Sequence, residues 1–220
     1  MGDSRSSLIE STIFEVAEKG LAGLRTDEIA KRAKMAKGSI YNHFSGKDNL
    51  LIEAFLEVDR EIASLYDGTV EPESFAGMPI AEVVYRLWCV YYDYFTDNKE
   101  RALFYFTFRH SPYYDEKLIR MDKPYFDSFS DVMRMINGEY HIFDNIDKAG
   151  FDIIWAFILD GTQQMALMVN SGKIEKCEET KRQIFRIMFF NVLFCEMDIN
   201  EHMVFFAGQI FIHVINTELF

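Results

Sequence analysis

The sequence predicts an all-α protein: a three-helix head containing a helix-turn-helix, joined by a fourth helix to a larger helical body. Three observations carry that expectation. Apolar residues recur at three- and four-residue spacing along nearly all of the 220 residues, and no stretch alternates apolar and polar residues as a half-buried strand does. The segment DGTVEPESFAGMP, residues 67–79, holds two prolines and two glycines without apolar periodicity, and reads as the one convincing linker. Charge also divides the chain: residues 1–50 carry eight Lys or Arg against seven Asp or Glu, and residues 51–220 carry 15 against 28, within a net charge of −12.

The elements follow in order. Ser7 with Glu10 three residues later is a capping-box pattern, and Ile9, Ile13, Val16, Ala17 and Leu21 share one helical face that ends near Gly20. Thr26 is placed to cap a short second helix, with Asp27 and Glu28 facing the positive end of the macrodipole and Ile29, Ala30 and Ala33 pointing inward. A third helix begins near Lys37. A fourth is announced by Ser45 with Asp48 and runs through Leu50, Leu51, Ala54, Phe55 and Val58 to about Tyr66. Beyond the linker, helices are expected at 80–96, 98–110, 114–137, 148–170, 177–196 and 200–217, broken at Asn98, Ser111-Pro112, Gly138, Gly172 and Asp198. The helices at 148–170 and 177–196 are apolar on more than one side, so they are either central or shared with another subunit.

Several function classes are excluded. Cys89, Cys177 and Cys195 are odd in number, far apart and set in apolar helical contexts, which predicts reduced buried thiols in an intracellular protein, and no zinc spacing is present. The amino terminus lacks the apolar core of a signal peptide, and no run approaches the roughly 18 to 20 apolar residues of a membrane span, so a cytoplasmic protein without membrane contact is expected. There is no nucleophile elbow, phosphate loop or dinucleotide fingerprint, so neither catalytic residues nor a cofactor or metal are expected. The acidic total argues against nucleic acid until it is mapped, because between Arg25 and Lys47 there are six basic residues against two acidic ones.

That stretch contains MAKGSIYNHFSGKDNLL, residues 35–51. Ile40 and Phe44, four apart, share a face that would pack on Ile29, Ala33 and the first helix. Lys37, Ser39, Tyr41, Asn42 and His43 point away from it, and all are hydrogen-bond donors. Two such short helices joined by KMA and preceded by a supporting helix form a helix-turn-helix, whose second helix fits a major groove. Gly38 costs about 1 kcal/mol of helix propensity relative to Ala, and serves either close approach of a duplex or a frayed helix start.

TDEIAKRA from Thr26, followed by KGSIYNHFSGKDNL from Lys37, resembles the amino-terminal domain of the tetracycline-repressor (TetR) family of bacterial transcriptional regulators. The matching skeleton is Thr26, Ile29, Ala30, Ala33, Gly38, Tyr41, His43, Phe44, Lys47 and Leu50, within roughly residues 7 to 55. The resemblance implies a DNA-binding domain over 1–50 and an all-helical effector-binding and dimerisation domain over 51–220. It also implies a homodimeric repressor on a palindromic double-stranded DNA operator, released when a small hydrophobic or amphipathic effector fills the body. On this basis Lys37, Ser39 and Asn42 are candidates for base edges, with Lys donating to guanine and Asn pairing with adenine. Tyr41, His43 and Lys47 are candidates for phosphates, and Thr26 for both cap and phosphate donor. The family commonly has Gly where Lys34 stands and a capping Ser where Ala36 stands. An αL conformation costs a non-Gly residue about 1 kcal/mol, and Lys34 can supply a charged phosphate contact in place of the one lost at Ala36.

In the body, aromatic density marks either core or an apolar pocket with a few polar groups. The pocket candidates are Trp88, Tyr91, Tyr92, Phe95, Tyr105 and Phe108, with Arg109, Phe126, Trp155 and Gln164. Acidic and aromatic walls would suit an organic cation, whereas Arg109 and His110 would suit an anionic head group. For the dimer, the helices at 148–170 and 177–196 are expected to form a four-helix interface through Phe157, Met165 and Met168 of the first and Phe185, Met188, Phe189 and Val192 of the second. A rival reading keeps the head but makes the body a sensor of a protein partner, through the apolar segment 201–220.

Overall fold

Among the described residues every regular element is a helix. The computed structural model describes residues 4–66, 75, 77–114, 137–138, 141 and 146–193, and the helices expected at 114–137 and 200–217 fall essentially outside them. The first helix, α1 (Ser4–Gly23), begins one turn before Ser7, so Ser7 lies inside it and caps nothing. Its regular course stops at Gly20, whose φ of 70° and ψ of 172° suit a residue without Cβ. Then come α2 (Thr26–Arg32), α3 (Ser39–His43) and α4 (Lys47–Tyr66), the last running unbroken across residue 50. At the start of α4 the partner of Ser45 is Asn49 rather than Asp48: the Ser45 N–H donates to Asn49 Oδ1 at 3.2 Å.

The body contains α5 (Ile80–Asp97), α6 (Lys99–Arg109), α7 (Lys148–Asn170) and α8 (Glu178–Leu193). Asn98 separates α5 from α6, and its side-chain amide donates to the Tyr94 carbonyl at 2.8 Å. Asp147 caps α7, its carboxylate accepting from the Gly150 N–H at 2.7 Å. Cys177 is exposed at the start of α8, contrary to the expected buried thiol, because it stands ahead of the apolar part of that helix. Cys89 is partly buried, and Cys195 lies outside the described residues.

Packing joins head and body. Helix α1 lies against α6, α4 and α2, while α5 packs on α7, and α8 on α7 and α5. One apolar cluster therefore runs from Leu8, Ile13, Ile29 and Ile40 through Leu51, Phe55 and Ile62 into Phe95, Phe104 and Phe108. A second lies between α5, α7 and α8, with Trp88, Tyr92, Ile158, Phe185, Met188 and Phe189. Polar ties follow the same seam: Arg101 of α6 donates to Glu10 of α1 at 2.7 Å and to Glu61 of α4 at 2.6 and 2.8 Å. Tyr94 of α5 donates to the same Glu61. Burial pushes the Glu61 carboxyl up, but Arg101 and Tyr94 outweigh it and hold its pKa below the ordinary value.

Three of the dimer candidates are buried within the single chain. Phe185, Met188 and Phe189 lie in the chain's own core, where Phe185 meets the Tyr85 ring edge-on at 5.0 Å and Phe189 meets Trp88 at 6.3 Å. Met165 and Met168 are partly buried. The apolar side chains left outside are Ile153 and Phe157 on α7 and Ile187 on α8, at 70%, 57% and 69% exposure. No helix among the described residues is long and apolar enough to cross a membrane.

Candidate nucleic-acid interface and effector site

The turn between α2 and α3 is built by backbone chemistry. The Met35 N–H returns to the Ala30 carbonyl at 2.8 Å and the Lys34 N–H to that of Lys31 at 3.1 Å, a Schellman closure that requires the donor of the shorter loop to be left-handed. That residue is Lys34, with φ of 57°. Lys34→Gly is therefore expected to raise the unfolding free energy by about 1 kcal/mol, seen as a higher thermal midpoint; an unchanged or lower midpoint would show that the turn carries no strain.

Helix α3 follows after a tight turn in which the Ser39 N–H donates to the Ala36 carbonyl at 2.9 Å. It starts at Ser39, two residues later than expected, with Gly38 just ahead of it at φ −64°. A Cβ at Gly38 would meet nothing within 4 Å, so neither backbone nor neighbouring side chains demand glycine there. Ile40 and Phe44 are buried against Ile29 and the α1 stripe. Lys34, Lys37, Gly38, Tyr41, Asn42 and His43 are exposed, and Ser39, Lys47 and Thr26 are half-buried. Thr26 does not cap α2: Arg25 holds that position with extended backbone, and no side chain accepts from the first turn.

The surrounding charges lock this unit without consuming its outward cations. Glu15 of α1 accepts from Lys19 and from Arg32 of α2, both at 2.7 Å, and Lys19 also meets Glu28 at 3.0 Å. Burial pushes Glu15 up, but these two cations outweigh it and hold its carboxyl below the ordinary range. Arg5 pairs with Glu53 and lies over the Phe44 ring at 5.5 Å, pinning the end of α3 to α1 and α4. Among the described residues, Lys34, Lys37 and Lys47 form no ion pair; nor does Lys31, exposed in the last turn of α2, which sequence reasoning passed over. Its spacing of three from Lys34 was the available signal.

The body's aromatic candidates divide between the two clusters. Trp88 and Tyr92 stack at 4.7 Å on the α7–α8 side, and Trp88 donates its indole N–H to Thr162 Oγ1 at 2.8 Å. Tyr91 and Phe95 of α5 and Tyr105 and Phe108 of α6 belong to the cluster that includes α4, with Trp155 partly buried against it. Phe126 lies outside the described residues, as does the side chain of Val192. Gln164 is exposed, and its neighbour Gln163 is the buried glutamine, donating through Nε2 to the Tyr91 hydroxyl at 2.5 Å. The buried spacing of Leu159, Gln163 and Ala166 was the signal that separates the two.

Around Tyr91 a polar cluster joins four helices. Tyr105 donates to Asp59 of α4 at 2.9 Å, and Arg109 of α6 lies 3.3 Å from Asp160 of α7. Burial works against the charge on Arg109, but Tyr91, Tyr105 and Asp160 outweigh it and hold its pKa above the ordinary arginine value. Burial likewise raises the Tyr91 phenol. The oxygens Asp160 Oδ1 and Gln163 Oε1 are buried without a hydrogen-bond partner among the described residues.

Comparison with known proteins agrees with this architecture. Residues 8–54 match the family model described as bacterial regulatory proteins, tetR family. Over 73 residues the chain is 36% identical to the HTH-type transcriptional repressor DhaR of Mycobacterium sp. strain GP1, covering 31% of this chain and 37% of that one. The chain thus spans about a third of the curated relatives it matches. The fold is similar to a TetR family transcription regulator from Marinobacter aquaeolei VT8, with a TM-score of 0.68 at 18% identity over 85% of this chain and 94% of that one. It is also similar to FadR of Bacillus subtilis in complex with stearoyl-CoA, with a TM-score of 0.61 at 14% identity over 83% and 96% of the two chains.

Proposed function

The chain belongs to the tetR family of bacterial regulatory proteins, and from that premise we propose that it is a homodimeric transcriptional repressor that binds a palindromic operator through α3. The observation that carries this reading is the α2–α3 unit: Lys34, Lys37 and Lys47, which form no ion pair among the described residues, surround an exposed face of Tyr41, Asn42 and His43. Lys37, Ser39 and Asn42 meet base edges, while Tyr41, His43, Lys47 and Lys34 grip phosphates, with Thr26 on the flank. Open space over Gly38, at a position whose backbone any residue could adopt, is what close approach of a duplex requires. The head is residues 1–50 and the effector-binding, dimerising body 51–220, with α4 as the rigid connection.

The dimer uses the exposed apolar side chains Ile153, Phe157 and Ile187, since an apolar face of that kind is normally covered. A small hydrophobic or amphipathic effector enters among the body's aromatic rings and releases the DNA. The polar cluster within an apolar surround and the likeness to a regulator that holds stearoyl-CoA both support an amphipathic molecule.

DNA selected from a random-sequence library provides the test. Tyr41→Ala and Lys47→Ala should each weaken binding about tenfold at moderate salt without changing the thermal midpoint, and Lys47→Ala should lower the slope of log K against log salt by about 1. Wild-type affinity in both variants would remove the assignment.

A further inference from the structure

We propose that the effector is a lipophilic amine, bound as its ammonium ion, with its N–H groups donating to Asp160 and Gln163 on α7. The inference rests on the effector-regulated reading above and names the chemistry of that effector.

Buried polar atoms are nearly always partnered. Gln163 is 2% exposed and its Nε2 is already bound to Tyr91, yet Oε1 has no partner among the described residues. Asp160 Oδ1 is buried too, with an ion pair to Arg109 at 3.3 Å but no hydrogen bond. The two residues are three apart and share a face of α7, and both open atoms are acceptors. What completes them must donate. A carboxylate, a phosphate or a thioester has no hydrogen to offer, whereas an ammonium has up to three.

The charge count agrees. Among the described residues, the groups whose charges act on the Tyr91 hydroxyl are one guanidinium, Arg109, and two carboxylates, Asp59 and Asp160, the last with its side chain 42% exposed. A cation brings these three groups to neutrality, while an anion would deepen their excess of negative charge. Arg109 is not a vacant anion receptor, since Asp160 faces it and it lies over the Tyr114 ring at 6.0 Å. His110, the other group suited to an anion, is exposed; it rests on the Phe106 ring at 4.3 Å with Nδ1 at 2.9 Å from the Phe106 carbonyl.

The matched probes octylamine, octanol and octanoate, titrated calorimetrically into the full chain beside its binding to library-selected DNA, test the proposal. Octylamine should bind at least about tenfold more tightly than the other two and raise the thermal midpoint, and Asp160→Asn and Gln163→Met should each weaken it about tenfold, the loss of one charge-assisted bond. Both variants should keep their ligand-free midpoints within a few degrees of wild type, which separates lost contacts from lost fold. Tighter binding of octanoate overturns the proposal, as does octylamine binding that ignores both substitutions. So does binding of none of the three, which would mean that ordered water fills the acceptors. Absence of DNA binding by the unmodified chain would instead strike the regulator reading, with the amine titration still read on its own.

Discussion

Phe55→Ala is expected to lower the unfolding free energy by about 3–5 kcal/mol, the range for emptying a large aromatic site in a core that relaxes only partly. Phe55 belongs to α4, the helix that begins at Lys47 beside the helix-turn-helix, yet its ring sits among rings of the body. It stacks on Tyr105 at 4.7 Å and Phe108 at 4.8 Å, and meets Tyr114 edge-on at 5.7 Å. At 2% exposure it leaves no route for water to fill the gap cheaply. The neighbouring Tyr105–Asp59 hydrogen bond joins the same two helices, so the cavity also loosens the polar cluster next to it. Urea titration of the wild-type and variant chains measures the difference. A loss below about 1 kcal/mol would show that α4 is not packed into the body as described, since only a surface substitution is that mild.

The second large effect concerns association. Phe157→Glu combined with Ile187→Glu should convert the proposed dimer to monomer. In a two-fold interface every substitution appears twice, and leaving a fully buried Phe or Ile uncovered costs about 1.5–3 kcal/mol apiece. The sum for two residues in two copies reaches about 6 kcal/mol or more, at least a 10,000-fold change in the dimer constant. Sedimentation at micromolar concentration reads this directly, and DNA affinity should fall with it because a monomer reaches only one half-site. Since both side chains are already exposed, at 57% and 69%, the folded monomer should tolerate the charges. By contrast, a charge at Phe189, which is 5% exposed beside Trp88 and Phe185, would disturb the fold itself and say little about the dimer. A double variant that still sediments as a dimer would place the interface elsewhere.

These expectations depend on which parts of the molecule nearby residues decide. The order of the described helices, the breaks at Gly20 and Asn98, the course of α7 over 148–170, and the burial of Ile40 and Phe44 beneath an outward face of Lys37, Tyr41, Asn42 and His43 were all legible in the sequence. The left-handed position of Lys34 was legible through the family resemblance, which commonly has Gly there, and the turn is closed by hydrogen bonds spanning four and six residues. Capping was less legible. Ser45 uses Asn49 where Asp48 offered the same chemistry, and α1 begins before Ser7, since several short polar side chains compete for each helix end.

Only the tertiary structure decided which side of the apolar helices is core. Helices α7 and α8 carry apolar residues nearly all round, so periodicity alone left Phe157 and Phe189 equivalent. The choice was made by Trp88, which arrives from 74 positions away to bond Thr162 and pack its ring at a tilt 5.5 Å from Phe185. The same packing turned Gln163 inward and Gln164 out, and set Arg109 against Asp160 beside acceptors that have no hydrogen-bond partner among the described residues. The sequence by itself determined the head and its outward chemistry, because those depend on residues within a turn or two of one another. The proposed chemistry of the effector and the proposed dimer face rest on tertiary structure, because burial is a property of what packs against a helix and not of the helix alone.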